Sequence, residues 1–265
     1  MKKTLALSLL LAVVLSATLA LSSCGLIPGN EGPSDPELSQ STHEDFEYYM
    51  YESGKYSVSR YIGTAECANI PETHNDLPVT KIDDRAFWGN EYVRVVNIPD
   101  CIVSIDEYAF TACSKLTKVT VGSGLTVIGE EAFKSCHALA EFKMSSTSSV
   151  RIIESYAFAG CEMLESIDFS DALEIVGLGA FEECEGLVSV TLGNSVTQIG
   201  GDAFGDCSSL RSIYIPASVE VVGIDAFSAC ESLTVNCAHS ERPVTWDALW
   251  NPDNRPVVWD VIMEG

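Results

Sequence analysis

The chain has 265 residues, with 38 acidic and 15 basic side chains, and carries a formal net charge of -23 at pH 7. Phosphate binding requires clustered lysine and arginine, so a surface this acidic repels nucleic acid and anionic lipid head groups. The composition therefore excludes DNA and RNA as partners.

The N-terminus has the features of an export signal. Lys2 and Lys3 precede an apolar run from about Leu5 to Leu21, which is short for a membrane span and well proportioned for a secretory signal. The run ends in Leu-Ser-Ser-Cys-Gly around Cys24, which resembles the bacterial lipoprotein box. The resemblance implies that residues 1–23 are removed and that acyl chains on Cys24 anchor the exported protein to a membrane. The alternative is an ordinary signal with an incidental cysteine.

Residues 24–45 are rich in glycine, proline, serine and acidic side chains and poor in residues that pack. This composition predicts a disordered tether. About twenty such residues have a root-mean-square span of about 25 Å, which would lift a folded domain clear of lipid head groups.

Residues 46–81 contain two aromatic-rich runs, beginning at Phe46 and Tyr56, with the polar segment Glu52 to Lys55 between them. Two such runs separated by turn residues predict a β-hairpin. We interpret this region as an N-terminal cap, because the first strand of a repeat sheet would otherwise expose an unpaired edge.

From residue 82 to 238 one unit recurs seven times. Successive copies are 23 residues apart, except for one interval of 25 residues that contains Ser145 to Ser149 and predicts a local bulge. In six copies a cysteine follows the phenylalanine by three residues and a leucine follows the cysteine by three, and alternating apolar pairs then predict a short strand. Such units bury their apolar columns only by stacking. The marker dipeptides are Ala86-Phe87, Ala109-Phe110, Ala132-Phe133, Ala157-Phe158, Ala180-Phe181, Ala203-Phe204 and Ala226-Phe227.

The repeat resembles the leucine-rich repeat of the BspA type, with the approximate consensus L-x-x-V-x-V/I-P-x-x-V-x-x-I-G-x-x-A-F-x-x-C. The match covers roughly Ile82 to Cys237, and Ile98-Pro99 and Ile215-Pro216 keep the family's proline after the strand. The resemblance implies a right-handed, horseshoe-like α/β solenoid of about seven 23-residue repeats, with short parallel strands and short helical turns. It also implies use at a bacterial cell surface, without implying a particular ligand.

Side chains alternate across a strand, so the residues between and before the buried apolar pairs should face solvent. Repeat proteins place partners on such extended faces, and the resulting candidate binding face predicts an extracellular protein ligand. The alternative is an ordinary hydrated sheet surface. The face comprises Asn97, Lys118, Thr120, Glu141, Lys143, Asp168, Thr191 and Tyr214.

Six of the ten cysteines share one offset in the repeat and should form an inward column. The spacing of neighbouring coils, about 5 Å, would permit disulfides. We nevertheless expect buried free thiols that behave as small hydrophobes, because Asn90 takes the same place in the first copy. No Cys-x-x-Cys pair or calcium-binding loop occurs, so no metal site is predicted.

After Leu233 the repeat register slips, and residues 239–265 contain Trp246, Trp250 and Trp259. An atypical terminal unit is required for solubility, which favours a C-terminal cap over the core of the last coil. The alternative is an aromatic platform on which sugar rings stack.

No nucleophile elbow, phosphate-binding loop or metalloprotease helix occurs, and the four histidines are scattered. The sequence therefore predicts a protein that is not an enzyme and uses no cofactor. Three hypotheses remain, namely a membrane-anchored surface lipoprotein that binds a protein partner in adhesion or host and cell interaction, an envelope carbohydrate-binding module, and a non-binding spacer.

Overall fold

The computed structural model of the protein describes residues 38–262. The predicted signal at 1–23, Cys24 and the predicted tether as far as residue 37 lie outside this range, as do residues 263–265 at the end of the predicted C-terminal cap. The described residues belong to one compact unit.

The unit is built from short strands with a single short helix among the described residues, the 3₁₀-helix His43–Asp45. The strands, in chain order, are β1 Phe46–Met50, β2 Tyr56–Tyr61, β3 Cys67–Asn69, β4 Thr73–His74, β5 Leu77–Ile82, β6 Val95–Ile98, β7 Ser104–Ile105, β8 Lys118–Val121, β9 Val127–Ile128, β10 Glu141–Met144, β11 Ile152–Ile153, β12 Ser166–Asp168, β13 Ile175–Val176, β14 Ser189–Thr191, β15 Gln198–Ile199, β16 Ser212–Ile215, β17 Val221–Val222, β18 Thr234–Cys237 and β19 Val257–Val258.

Each turn of the chain contributes one strand to each of two sides. On the first side, β3, β6, β8 and β10 form one parallel sheet, and β12, β14, β16, β18 and β19 form a second. On the other side, β2, β5, β7, β9, β11, β13, β15 and β17 run parallel, with β1 added antiparallel to β2 and β4 antiparallel to β5. The predicted leucine-rich repeat solenoid of short parallel strands is thus confirmed, although it has about nine turns rather than seven and almost no helix.

The predicted helical turns are absent from the described repeats because alternate amides bond to different partners. Ala86 N donates to Asp83 O within its own turn at 3.2 Å, whereas Phe87 N donates to Ala109 O in the next coil at 2.7 Å. The residue before each repeat alanine and the second residue after each repeat phenylalanine have positive φ, as at Tyr108 and Ala112 (57° and 59°). An α-helix needs negative φ throughout and an internal bond from every amide. In this alternation, the turn amides that are not bonded within their own turn donate to the next coil. They therefore link the coils and point toward the C-terminal end of the solenoid.

The core is a ladder of phenylalanine rings. Neighbouring repeat phenylalanines stack with centroid separations of 4.6 to 5.6 Å and nearly parallel planes. Tyr61 stacks on Phe87 at the N-terminal end, and Trp250 meets Phe227 edge to face at the C-terminal end. All of these rings are buried, so the ladder runs unbroken between the two ends of the repeat region.

The 25-residue interval divides one side of the solenoid. β10 ends the four-stranded sheet, and β12 begins the five-stranded one, whereas β9, β11 and β13 pair without a break on the other side. Ser148 is buried in the interval, and its carbonyl accepts a hydrogen bond from Ser170 Oγ at 2.7 Å. The insertion therefore interrupts sheet pairing on the side that carries the candidate binding face.

The last part of the predicted tether, from residue 38 to 45, is folded. Gln40 forms a parallel bridge to Cys67, and Ser41 N donates to Cys67 O at 2.8 Å. These bonds occupy the exposed edge of β3, which would otherwise be an unpaired strand edge. Residues 38–45 therefore belong to the folded unit and not to a disordered tether.

Candidate recognition surfaces

The eight residues of the candidate binding face are all exposed or half-buried, and the apolar residues between them are buried. They form two groups rather than one continuous stripe, because the sheet is divided between β10 and β12. The first group comprises Asn97, Lys118, Thr120, Glu141 and Lys143, in which Asn97 lies opposite Thr120, Lys118 opposite Glu141, and Thr120 opposite Lys143. The second comprises Asp168, Thr191 and Tyr214.

The first group contains a three-residue ion cluster. Glu141 Oε2 lies 3.2 Å from Lys118 Nζ and 2.9 Å from Lys143 Nζ. The hydrogen bond from Lys143 lowers the pKa of Glu141, with a further lowering by Lys118. The cluster keeps a net charge of +1 on an acidic protein, and the shared carboxylate holds both lysine heads over the sheet.

The second group is polar and contains a single acidic side chain, Asp168. Thr191 Oγ1 donates to Asp168 Oδ1 at 2.7 Å, across two paired strands. Tyr214 is half-buried and lies opposite Asn236 on β18. This group therefore presents one aromatic ring among hydrogen-bonding side chains.

The tryptophans of the C-terminal segment close the end of the core. Trp246 and Trp250 are only 2% and 5% exposed, and Trp246 Nε1 donates to Val219 O at 3.3 Å. Trp259 is half-buried, with its ring centroid 6.3 Å from that of Trp246. Two of the three rings predicted as an aromatic platform therefore have no face open to a sugar.

An exposed aromatic pair that the sequence reasoning missed lies at the opposite end of the solenoid. Trp88 is 61% exposed and Tyr92 is 51% exposed. Both line a groove of about 680 Å³ between residues 59–64, at the end of the hairpin, and residues 84–92, in the first repeat turn. The sequence contains one indication of this site, because Trp88 is the only tryptophan outside the C-terminal segment.

The six column cysteines are free and buried, as the sequence predicts. Each thiol donates to the carbonyl of the phenylalanine one coil earlier, at 2.9 to 3.3 Å. Burial raises the pKa of Cys184 and of Cys230 to about 12. A reactive cysteine requires the thiolate, so these side chains serve packing and not nucleophilic chemistry.

Among residues 38–262, no group of three or more histidine, cysteine, aspartate or glutamate side chains is placed to hold a metal ion. The described part of the chain contains no helix with the length and hydrophobicity of a membrane span.

Comparison with known proteins agrees with this architecture. The family model of the BspA type leucine-rich repeat region matches six copies over residues 65–151 and 143–243. No curated protein matches the chain.

Three solved structures resemble the chain. A leucine rich cell surface protein from Faecalibacterium prausnitzii A2-165 is 32% identical with a TM-score of 0.69, covering 80% of this chain and 57% of its own. The leucine-rich repeat protein of T. pallidum is 28% identical with a TM-score of 0.58, covering 74% and 80%. One from Bacteroides ovatus is 28% identical with a TM-score of 0.64, covering 76% and 53%. The chain therefore spans little more than half the length of the first and third proteins. On the extent of the repeat match and the identity to the Faecalibacterium protein, the chain belongs to the BspA-type leucine-rich repeat family.

Proposed function

We propose that this protein is a bacterial surface lipoprotein, anchored through Cys24, whose solenoid binds a protein partner in adhesion or in contact with host or neighbouring cells. The observation that carries the proposal is the Lys118–Glu141–Lys143 cluster, which forms a positive point on the sheet face of a chain with a net charge of -23. Its neighbours on the strands form a polar surface held by a rigid core. Protein recognition commonly uses such preorganised, charge-patterned surfaces.

A non-enzymatic role fits the same features. The column thiols are buried with raised pKa values, and the best-defined charged cluster on the sheet face is an ion pair network and not an acid–base pair in a cleft. The related structures are leucine-rich repeat proteins, and one is described as a cell surface protein. We therefore propose that recognition takes place on the surface of the solenoid.

The binding role is tested with residues 24–265 carrying Cys24→Ser, on a panel of matrix proteins and whole cells. The triple variant Lys118→Ala, Lys143→Ala and Tyr214→Ala is expected to lower the affinity for a partner at least tenfold, because it removes the positive point and the aromatic ring. The readout is the equilibrium dissociation constant from surface plasmon resonance.

The matched control removes two lysines and one tyrosine elsewhere, through Lys55→Ala, Lys115→Ala and Tyr49→Ala. These side chains lie off the face, and Tyr49 is 57% exposed. The control should bind as the parent does. Equal loss in both triple variants would assign the effect to overall charge and remove the sheet face from the proposal.

The anchor is tested by Cys24→Ala in the full chain, expressed in the native bacterium with a radiolabelled fatty acid. We expect the parent to incorporate label and to sediment with membranes, because acyl chains partition into the bilayer. The variant should carry no label and should lose its membrane association. Equal labelling of the two proteins would contradict anchoring through Cys24.

A further inference from the structure

The groove beside Trp88 lies where the solenoid begins. The hydrogen-bond pattern of the later coils shows which backbone donors are missing there. In each later coil, three turn carbonyls accept hydrogen bonds from backbone amides of the preceding coil. In the second coil these are Glu107 O, Ala109 O and Thr111 O, with bonds of 2.7 to 3.2 Å. The groove occupies the place that an earlier coil would have on the first coil.

The cap supplies only the middle donor of the three. Tyr61 N donates to Ala86 O at 2.8 Å. The flanking carbonyls, Asp84 O and Trp88 O, accept no hydrogen bond from any residue in the described range. Both belong to exposed residues that line the groove, and in later coils the equivalent carbonyls point toward the preceding coil.

The side chains of the groove add two exposed aromatic rings and charged groups whose formal charges sum to zero. Trp88 and Tyr92 present exposed rings beside the free acceptors. The charged lining residues balance, because Arg60 and Arg85 oppose Asp84 and Glu91. Arg85 is also held by an ion pair with Asp84 and lies over the ring of Tyr108 at 4.6 Å. A ligand recognised here therefore gains little from carrying charge.

From these features we propose that the groove binds a neutral oligosaccharide of a few pyranose units. Pyranoses have an apolar C–H face that packs on an aromatic ring, and hydroxyl groups that donate hydrogen bonds to carbonyls such as Asp84 O and Trp88 O. The groove volume of about 680 Å³ lies within the range of about 300–1,000 Å³ of small-molecule sites. This site is separate from the candidate binding face and does not depend on the proposed function.

The test uses residues 24–265 with Cys24→Ser and four neutral trisaccharides, namely cellotriose, mannotriose, maltotriose and N,N′,N″-triacetylchitotriose. We expect at least one to bind in isothermal titration calorimetry and to change the tryptophan fluorescence. Trp88→Ala should lower that affinity at least tenfold, whereas Trp88→Tyr, which keeps an aromatic face, should retain most of it. Tyr49→Ala, which removes an exposed ring outside the groove, should bind as the parent does.

A permethylated form of the bound trisaccharide separates donor recognition from apolar contact. It keeps the ring faces but has no hydroxyl donors, so its binding should be lost. Three results would overturn the proposal: no binding of any trisaccharide, binding that Trp88→Ala does not weaken, or equal binding of the permethylated sugar. A dimer in light scattering that Trp88→Ala dissociates would assign the groove to a second copy of the chain instead. None of these results depends on the variants of the candidate binding face. The proposal for the groove and the proposal for that face can therefore be refuted independently.

Discussion

Raising the pH from about 8 to about 10 is expected to lower the free energy of unfolding by at least about 3 kcal/mol, through Cys184 and Cys230 alone. Five column thiols carry raised pKa values because burial disfavours the thiolate, and the ordinary value is 9.0. Above that pH the unfolded chain releases protons that the folded chain retains. Unfolding therefore becomes easier as the pH rises from about 9 toward the folded pKa, while below about pH 9 the full stability is present. The five thiols are those of Cys136, Cys161, Cys184, Cys207 and Cys230.

Cys184 and Cys230, whose pKa values burial raises from 9.0 to about 12, should each account for about 1.4 kcal/mol at about pH 10. Urea unfolding under reducing conditions measures the loss. Cys184→Ser keeps a donor toward Phe158 O but has no thiol to ionise, so this variant should lose about 1.4 kcal/mol less than the parent over the same pH range.

Leu187→Ala is the matched control for this prediction, because Leu187 is buried in the same coil and does not titrate. It should lower stability at every pH and keep the full pH dependence of the parent. If Cys184→Ser and the parent lost equal stability between about pH 8 and about pH 10, the ionisation of that thiol would not be the cause.

The second large effect is expected from Phe158→Ala, which should destabilise the domain by about 4 kcal/mol. The Phe158 ring lies between those of Phe133 and Phe181, at 5.3 and 5.2 Å, and the edge-to-face ring of Phe142 is 5.0 Å away. Removing it leaves a cavity at the centre of a stack in which each coil contacts only its neighbours. Urea denaturation followed by circular dichroism provides the measurement.

Two further variants serve as controls for Phe158→Ala. Phe158→Leu keeps most of the volume and should lose less than about 1.5 kcal/mol. Met163→Ala removes a 55% exposed side chain from the same coil and should stay within about 0.5 kcal/mol of the parent. A loss in Phe158→Ala no larger than that in Met163→Ala would show that the ring stack contributes little to stability.

The sequence was sufficient to predict the inward columns of the core. A unit that repeats at 23 residues must place equivalent side chains in equivalent surroundings, and the repeat alanines, phenylalanines and cysteines are indeed buried. The predicted helical turns were wrong for a local reason. Most of the repeat-turn positions with positive φ are occupied by residues such as Arg85, Tyr108 and Glu131, and only three of them carry a glycine, namely Gly89, Gly160 and Gly179, so glycine did not mark the pattern in the sequence.

The surfaces were predicted less completely, because they depend on contacts between distant segments. Lys118 and Lys143 were predicted to lie on the candidate binding face. Their common contact with Glu141 could not be predicted, because it depends on the register of β8 against β10. The groove beside Trp88 forms only when the hairpin covers part of the first coil, and no repeat offset encodes that arrangement. The burial of Trp246 likewise depends on how the last segment folds over the final coil.

The alternating turn bonds give the two ends of the solenoid opposite chemistry. The last coil ends in donors, and the C-terminal segment meets two of them with acceptors: Asp225 N donates to Leu249 O at 2.9 Å and Ala229 N to the Asp253 carboxylate at 2.8 Å. The N-terminal hairpin must instead provide donors, as Tyr61 N does. The two terminal segments are therefore not interchangeable, whereas an added 23-residue unit would present the same donors and acceptors as the unit it follows. Chains of this kind can lengthen by whole coils while both ends keep the same closing segments.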